Sequence, residues 1–525
     1  MNTENLQHVI KTMSKSEKRY FKLYASRTVQ GGDDRPIRLF DVIDKQDSFR
    51  EEHILRRESG LGSEGEYHSL SNLLQDVLLK SMHAFHEEKT PEPKIRAQLH
   101  YTELLLSKGL EKHARQQLKV ARDLARKHEL LEYMPAILEL ELVMADKDNR
   151  EQQFKKAQLF YEEYCDVLAK LEVQAMYGRR LKQVSLMAIR PAYSRSKTQD
   201  FADLDAFLDL PEIRHEQGPS SVRSQFFYND LHVVASYIKA DYNTMYFYSS
   251  RLIRLAQEHP NVLQYETEKY ISILNRHASA CAMLKMPREL LETAGLMRAV
   301  NTTDERLKIR IFQYATNAEF NDCVLRKDES AIRETLARFE EDFPVYGKRV
   351  DPEFAVTLLV QAAGFACSMG EYKRALQWID QVMVMPALAP REDLATFIRI
   401  TELQCYFEIG DEEKLSQKLS SFYRYLKNKK SLYEVERALM DHIRILARST
   451  SPNKKTEFFA GLRDSIAKAI RESPEDKRFF SNNFDLIAWF DSKVKGRPLM
   501  EIIMENQGEK PAKAAKKNSP GRKKR

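Results

Sequence analysis

His83 and His86 stand three residues apart with Glu87 beside them. On a helix that spacing puts both imidazoles on one face, where they could share a metal ion. No HExxH motif and no third histidine lies nearby, so an ordinary exposed histidine pair is the better reading. Gly60-Leu61-Gly62-Ser63-Glu64-Gly65 matches the GxGxxG phosphate-cradling pattern. That pattern works only after a strand inside a βαβ unit. Here the charged run His53-Ile54-Leu55-Arg56-Arg57-Glu58 precedes it and reads as helix, so the glycines read as a surface turn. There is no GxxxxGK[ST], no GxSxG and no kinase-type signature. None of the 77 acidic residues sits in a setting that marks a general acid or base. The chain therefore reads as a non-enzyme with no cofactor and no metal.

Binding chemistry is better represented. Eight aromatics fall between Phe226 and Tyr248: Phe226, Phe227, Tyr228, Tyr237, Tyr242, Tyr246, Phe247 and Tyr248. They suit helix packing, and the tyrosines also suit a groove that is half dry and half wet. Residues 178–198 carry Arg179, Arg180, Lys182, Arg190, Arg195 and Lys197 with no acid, beside Tyr193. Such a stripe could touch RNA or phosphate, or could be a solvated helix face. Lys11, Lys15, Lys18 and Lys22 follow three- and four-residue steps and share a face if one helix spans residues 5–26. A helix-turn-helix variant is conceivable there, but no recognition helix stands out.

The net charge of +7 has one location. Residues 509–525 contain Lys510, Lys513, Lys516, Lys517, Arg522, Lys523, Lys524 and Arg525 against Glu509. Removing those eight bases and one acid from 84 and 77 leaves 76 of each. The body is electrically balanced, and the tail, expected to be disordered from about residue 506, holds the whole excess. A weak nucleic-acid contact would be sought there first.

The elements that would position these groups read as helices. Of 525 residues only 17 are Gly and 18 Pro, well under the combined ~12% of an average chain. Apolar residues recur at i, i+3, i+4 and i+7, as at Leu118, Ala121, Leu124 and Ala125. The five cysteines are odd in number and widely spaced, a reduced usage that fits the cytoplasm. The start has no signal-peptide h-region, and no apolar run reaches membrane-spanning length. The longest, residues 355–366, is broken by Gln361.

One register recurs along the chain. In Met369-Gly370-Glu371-Tyr372-Lys373-Arg374-Ala375-Leu376 a small residue ends one helix and Ala follows five places on, with Ile379, Val382 and then Pro386 continuing. Gly410 is followed at five, nine and twelve places by Leu415, Leu419 and Phe422. Ala240 is followed by Met245, Ser249 and Leu252; Lys285 by Leu290, Ala294 and Met297; Lys327 by Ile332, Leu336 and Phe339; and Gly109 by Ala114, Leu118 and Ala121. Spacing from anchor to anchor after 240 is 45, 42, 43 and 40 residues.

This register resembles the tetratricopeptide (TPR) repeat, with lengthened helices. The opening SKSEKRYFKLYAS also resembles that of large bacterial helical-repeat proteins. The resemblance implies an all-α fold: a right-handed TPR-like α-solenoid of antiparallel helical pairs over residues 94–445. An N-terminal helical module over 1–90 and capping helices over 454–495 would flank it, with the basic tail from 506. Helices over 151–171 and 173–189 are expected in the less regular stretch between 125 and 225. In such solenoids the first helix of each pair lines the concave surface where peptides bind. Carried over by register, the groove residues are Phe227, Asp230, Val234 and Tyr237; Asn275, with Arg276 adjacent, and Ser279; Tyr314, Asn317 and Asn321; and Val360 and Gly364. The lysines of a carboxylate clamp are missing. The expected activity is a scaffold or adaptor that holds a protein segment, with a nucleic-acid-associated regulator as the alternative.

Overall fold

A computed structural model describes residues 3–28, 33–46, 64–87, 90–145, 150–187, 202–214, 219–263, 267–429, 452–472 and 486–506. Among the described residues the chain is all α, with 24 α-helices and no strand. In order they are α1 Thr3–Thr12, α2 Lys15–Thr28, α3 Arg35–Lys45, α4 Glu64–His86, α5 Pro91–Ser107, α6 Glu111–Lys127, α7 Met134–Ala145 and α8 Arg150–Met187. Then follow α9 Ala202–Leu208, α10 Pro211–Arg214, α11 Val222–Lys239, α12 Tyr242–Glu258, α13 Pro260–Leu263, α14 Thr267–Met283, α15 Pro287–Arg298, α16 Glu305–Arg326 and α17 Glu329–Tyr346. The last are α18 Pro352–Ser368, α19 Tyr372–Met383, α20 Glu392–Ile409, α21 Glu412–Lys429, α22 Pro452–Glu472, α23 Leu486–Lys495 and α24 Leu499–Glu505. No helix among the described residues is long and apolar enough to cross a membrane.

The chain divides into two compact units. The first holds residues 1–176, 219–225 and 259–265. Its α1–α4 core gathers Ile10, Phe21, Phe40, Ile43, Tyr67 and Leu74, with the Phe21 and Phe40 rings 4.5 Å apart. A second core joins α5–α8 through Ile95, Ala114, Leu118, Ile137, Leu138 and Val167. Glu129 accepts the Val222 and Arg223 backbone N–H groups at 2.9 and 2.8 Å, capping the start of α11.

The second unit holds residues 177–218, 226–258 and 266–525. It contains the hairpins α14/α15, α16/α17, α18/α19 and α20/α21, preceded by α12 and the main part of α11. The first helix of each hairpin packs against that of the next: α14 on α16, α16 on α18, and α18 on α20. At the far end Glu408 of α20 accepts Trp489 Nε1 at 2.7 Å and Lys493 Nζ at 2.6 Å, fastening α23.

The anchors of the sequence register are the reversals of these hairpins. Gly109, Ala240, Lys285, Lys327, Gly370 and Gly410 all adopt positive φ, between 52° and 81°. At Gly370 the turn donates its N–H to Cys367 O at 3.0 Å, and Glu371 N reaches Ala366 O at 2.9 Å. This paired closure satisfies the last carbonyls of the first helix. The same pairing recurs at 109/110, 240/241, 285/286 and 410/411, while Lys327 closes with a single bond to Cys323 O at 2.8 Å. Asp241, Asp328 and Asp411 follow their anchors directly and accept backbone N–H groups of the next helix. The residues five, nine and twelve places on are all buried.

Two expectations need correction. The N-terminal helix over 5–26 is two helices. Ser14 N donates to Glu17 at 2.7 Å and Glu17 N to Ser14 Oγ at 3.3 Å, a capping box that restarts the chain as α2. Lys11, Lys18 and Lys22 turn to α3, where Lys11 donates to Asp44 O at 2.6 Å, Lys18 pairs with Asp44 and Lys22 with Asp41. The two helices expected over 151–171 and 173–189 are the single α8, since no Gly or Pro interrupts residues 150–177. The glycines at 60–63, residues 188–198 of the basic stripe and the tail from 507 lie outside the described residues.

Ala240 occupies the left-handed region that costs a residue with a Cβ about 1–2 kcal/mol. Ala240→Gly is expected to raise the thermal midpoint, and Gly370→Ala to lower it by a destabilisation of about 1–2 kcal/mol. Calorimetry of the two variants checks this; an Ala240→Gly protein that melts at or below the parent contradicts it.

Candidate functional site

The register-derived groove residues all lie on first helices of unit 2, and their surroundings differ. On α11, Asp230 ion-pairs with Arg276 of α14. Burial pushes the Asp230 carboxyl pKa up, against the pull of Arg276 and Lys269. Lys269 Nζ lies 5.6 Å from the Phe227 ring centroid, a cation–π contact that again joins α14 to α11. Tyr237 is 51% exposed at the end of α11. On α16 the Tyr314 ring lies 5.9 Å from Phe354 of α18.

Asn275, Asn317 and Asn321 are half-buried. Among the described residues their side-chain amides have no hydrogen-bond partner; the Asn275 backbone carbonyl accepts Ser279 Oγ at 2.9 Å. Asn275 and Asn317 both stand ten places before their turn residues, Lys285 and Lys327, and Asn321 one turn after Asn317. Each amide carries two donors and an acceptor, the set that a peptide main chain can use.

Val234, Val360 and Gly364 are not groove-facing. All three are buried. A Cβ built on Gly364 would meet the Phe397 ring of α20 at 3.3 Å, so the close approach of α18 and α20 takes up that position. Two amides that register alone did not choose lie within the packing further along. Gln361 of α18 keeps Oε1 buried without a partner, and Gln404 of α20 is 1% exposed with both amide atoms unpartnered. The signal was present for Gln361, a lone amide inside an apolar run. Gln404 has no such flag, lying in a stretch of mixed polarity.

Other reactive groups are fastened into structure. Ser249 Oγ of α12 lies 2.8 Å from His277 Nδ1 of α14 and 2.7 Å from Met245 O. A serine–histidine pair could form a nucleophile and base, but Ser249 is fully buried and Tyr246 stacks on the imidazole at 5.0 Å. Burial holds His277 down to about 4 and the Cys281 thiol up to about 12. His86 meets Glu17 at 2.6 Å. No group of three or more potential metal ligands is assembled among the described residues. All five cysteines are free; Cys165 is exposed and the other four are buried.

No family model matches the chain, and no curated protein or solved structure matches it.

His277 gives this unit a pH dependence of known sign. Its folded pKa of about 4 lies below the ordinary 6.5, so the unfolded chain takes up the proton first. Stability is retained above pH 6.5 and falls as pH drops toward 4, by on the order of 2–3 kcal/mol from this residue. Urea midpoints measured from pH 7 to pH 4 should fall less in His277→Gln than in the parent. Parallel pH profiles would rule out the assignment.

Proposed function

We propose that the hairpins of unit 2 form a right-handed TPR-like solenoid. Its first-helix face would hold an extended segment of a partner protein, making the chain a non-catalytic scaffold or adaptor. The observation that carries this reading is the set of half-buried, unpartnered amides at Asn275, Asn317 and Asn321 on consecutive first helices. Among the described residues these amides have no protein partner, and water reaches them. A peptide backbone laid across the helices supplies that partner at each one. The Asp230–Arg276 pair and Tyr237 flank the row with charge and an amphipathic ring. The shared register of the turns and the packing of first helix on first helix support the repeat reading.

The alternative, a nucleic-acid-associated regulator, rests on the basic residues of 509–525. The lysines of α1 and α2 favour it less, because Lys11, Lys18 and Lys22 already engage Asp44 and Asp41.

Crosslinking and pull-down from native cytosol separate the two. Asn317→Ala with Asn321→Ala and Tyr237→Ala should abolish capture of a partner while leaving the thermal midpoint unchanged. Capture that survives the triple substitution removes the groove reading. Binding that weakens steeply with salt and disappears when residues 509–525 are deleted would support the nucleic-acid reading instead.

A further inference from the structure

One buried cluster in unit 2 owes nothing to the amide row. Cys367 of α18 and Cys405 of α20 lie in one apolar core where these two first helices pack together. The Cys367 thiol hydrogen-bonds Cys405 Sγ, and the two residues are only 2% and 0% exposed. The helices approach closely here: a Cβ on Gly364, one turn before Cys367, would meet the Phe397 ring of α20 at 3.3 Å. A disulfide needs Cα atoms within about 7 Å, which hydrogen-bonded thiols on two closely packed helices allow. Cys323, by contrast, donates to Thr335 Oγ1 within its own hairpin at 3.6 Å.

Titratable groups gather round the pair. Tyr372, at the start of α19, is within electrostatic reach of both thiols and of Glu408. Glu408 in turn holds Trp489 Nε1 at 2.7 Å and Lys493 Nζ at 2.6 Å, both from α23. The Lys493 charge also acts on Cys367, so α23 stands beside the pair. The hydrogen bond to Cys405 and burial push the Cys367 thiol pKa well up. The thiolate is the form that oxidants attack, so the closed cluster keeps its sulfurs reduced.

We propose that Cys367 and Cys405 are a redox pair, which hydrogen peroxide converts to a disulfide when α23 lifts, latching α18 to α20. In the first step the thiolate of one cysteine attacks a peroxide oxygen and the O–O bond breaks. A sulfenic acid forms, and the hydroxide that leaves takes up the proton lost by that thiol. In the second step the other sulfur attacks the sulfenic sulfur, the S–S bond forms, and hydroxide leaves to take up the second thiol proton. Two thiols and one peroxide become one disulfide and two waters; the sulfurs lose the two electrons that the peroxide gains. The bond spans 38 residues of chain, including the whole of α19, and removes that freedom from the unfolded state.

The test uses the full-length protein carrying Cys165→Ser, so that the one exposed thiol forms no link between copies. After peroxide treatment in native buffer the remaining thiols are alkylated, and peptides are mapped by mass spectrometry without reduction. A linked peptide joining Cys367 to Cys405, lighter by two hydrogens, is expected. The thermal midpoint should rise by several degrees and return with dithiothreitol, and Cys405→Ala should lose both effects. Lys493→Gln, which loosens α23, should speed formation of the link several-fold. If that variant melts early, Trp489→Phe, which keeps a ring and loses only the Nε1 donor, makes the same comparison. Recovery of both cysteines alkylated overturns the proposal, as does sulfinic acid at either one without a link, or pairing with Cys281 or Cys323. A linked protein that melts no higher than the reduced one overturns the latch, and a link that forms at the parent rate in both α23 variants overturns the gating. None of these readouts involves Asn275, Asn317 or Asn321, so the first-helix reading stands or falls separately.

Discussion

The left-handed residue between paired helices is the constraint on which the architecture rests. A helix ends with four carbonyls that have no partner within it. Reversing the chain in two or three residues leaves no room for water to satisfy them all. A positive φ at the turn brings that residue's own N–H and, at five of the six turns, the next N–H back onto those carbonyls. Because the reversal has fixed geometry, the second helix starts at a fixed angle and phase. The residues five, nine and twelve places on then face the first helix. Turn and stripe are one device. Three of the six turns use Ala or Lys rather than Gly, so the burial behind them must outweigh the backbone strain.

Charge is the second organising element. Glu319 of α16 is almost fully buried yet receives Arg298 of α15 at 3.0 Å and Arg338 of α17 at 2.8 Å. Arg298 also reaches Thr316 and Asp342. Glu402 of α20 takes Lys418 of α21. A buried ion pair adds little net stability, but a helix that slid by one turn would strand a buried carboxylate. Hydrophobic stripes tolerate such a slip. The ionic pairs penalise it, and so hold the register that the first-helix face requires.

The turns were legible in sequence because their signal is local: one residue and three apolar positions at constant distances. What was not legible involves a partner far along the chain. The break after Thr12 was marked by Ser14 and Glu17, yet the lysine spacing read more simply as one face. Nothing near Asp230 indicates that Arg276, 46 residues away, will pair with it. Val360 and Gly364 occupy groove positions by register, but Phe397 from the next hairpin covers Gly364.

These particulars bound what the first-helix face can hold. Asn275, Asn317 and Asn321 are reachable, whereas Val360 and Gln404 are buried. A segment lying on this face would thus cross α11, α14 and α16 and stop before α18. Neighbouring helix axes lie about 8–10 Å apart, so two steps span roughly 20 Å. At about 3.3 Å per extended residue that is some six residues of partner chain. A contact so short gains little from area and must depend on a few well-placed groups, here the amides and the flanking Asp230, Arg276 and Tyr237. Such a site favours exchangeable partners over permanent ones.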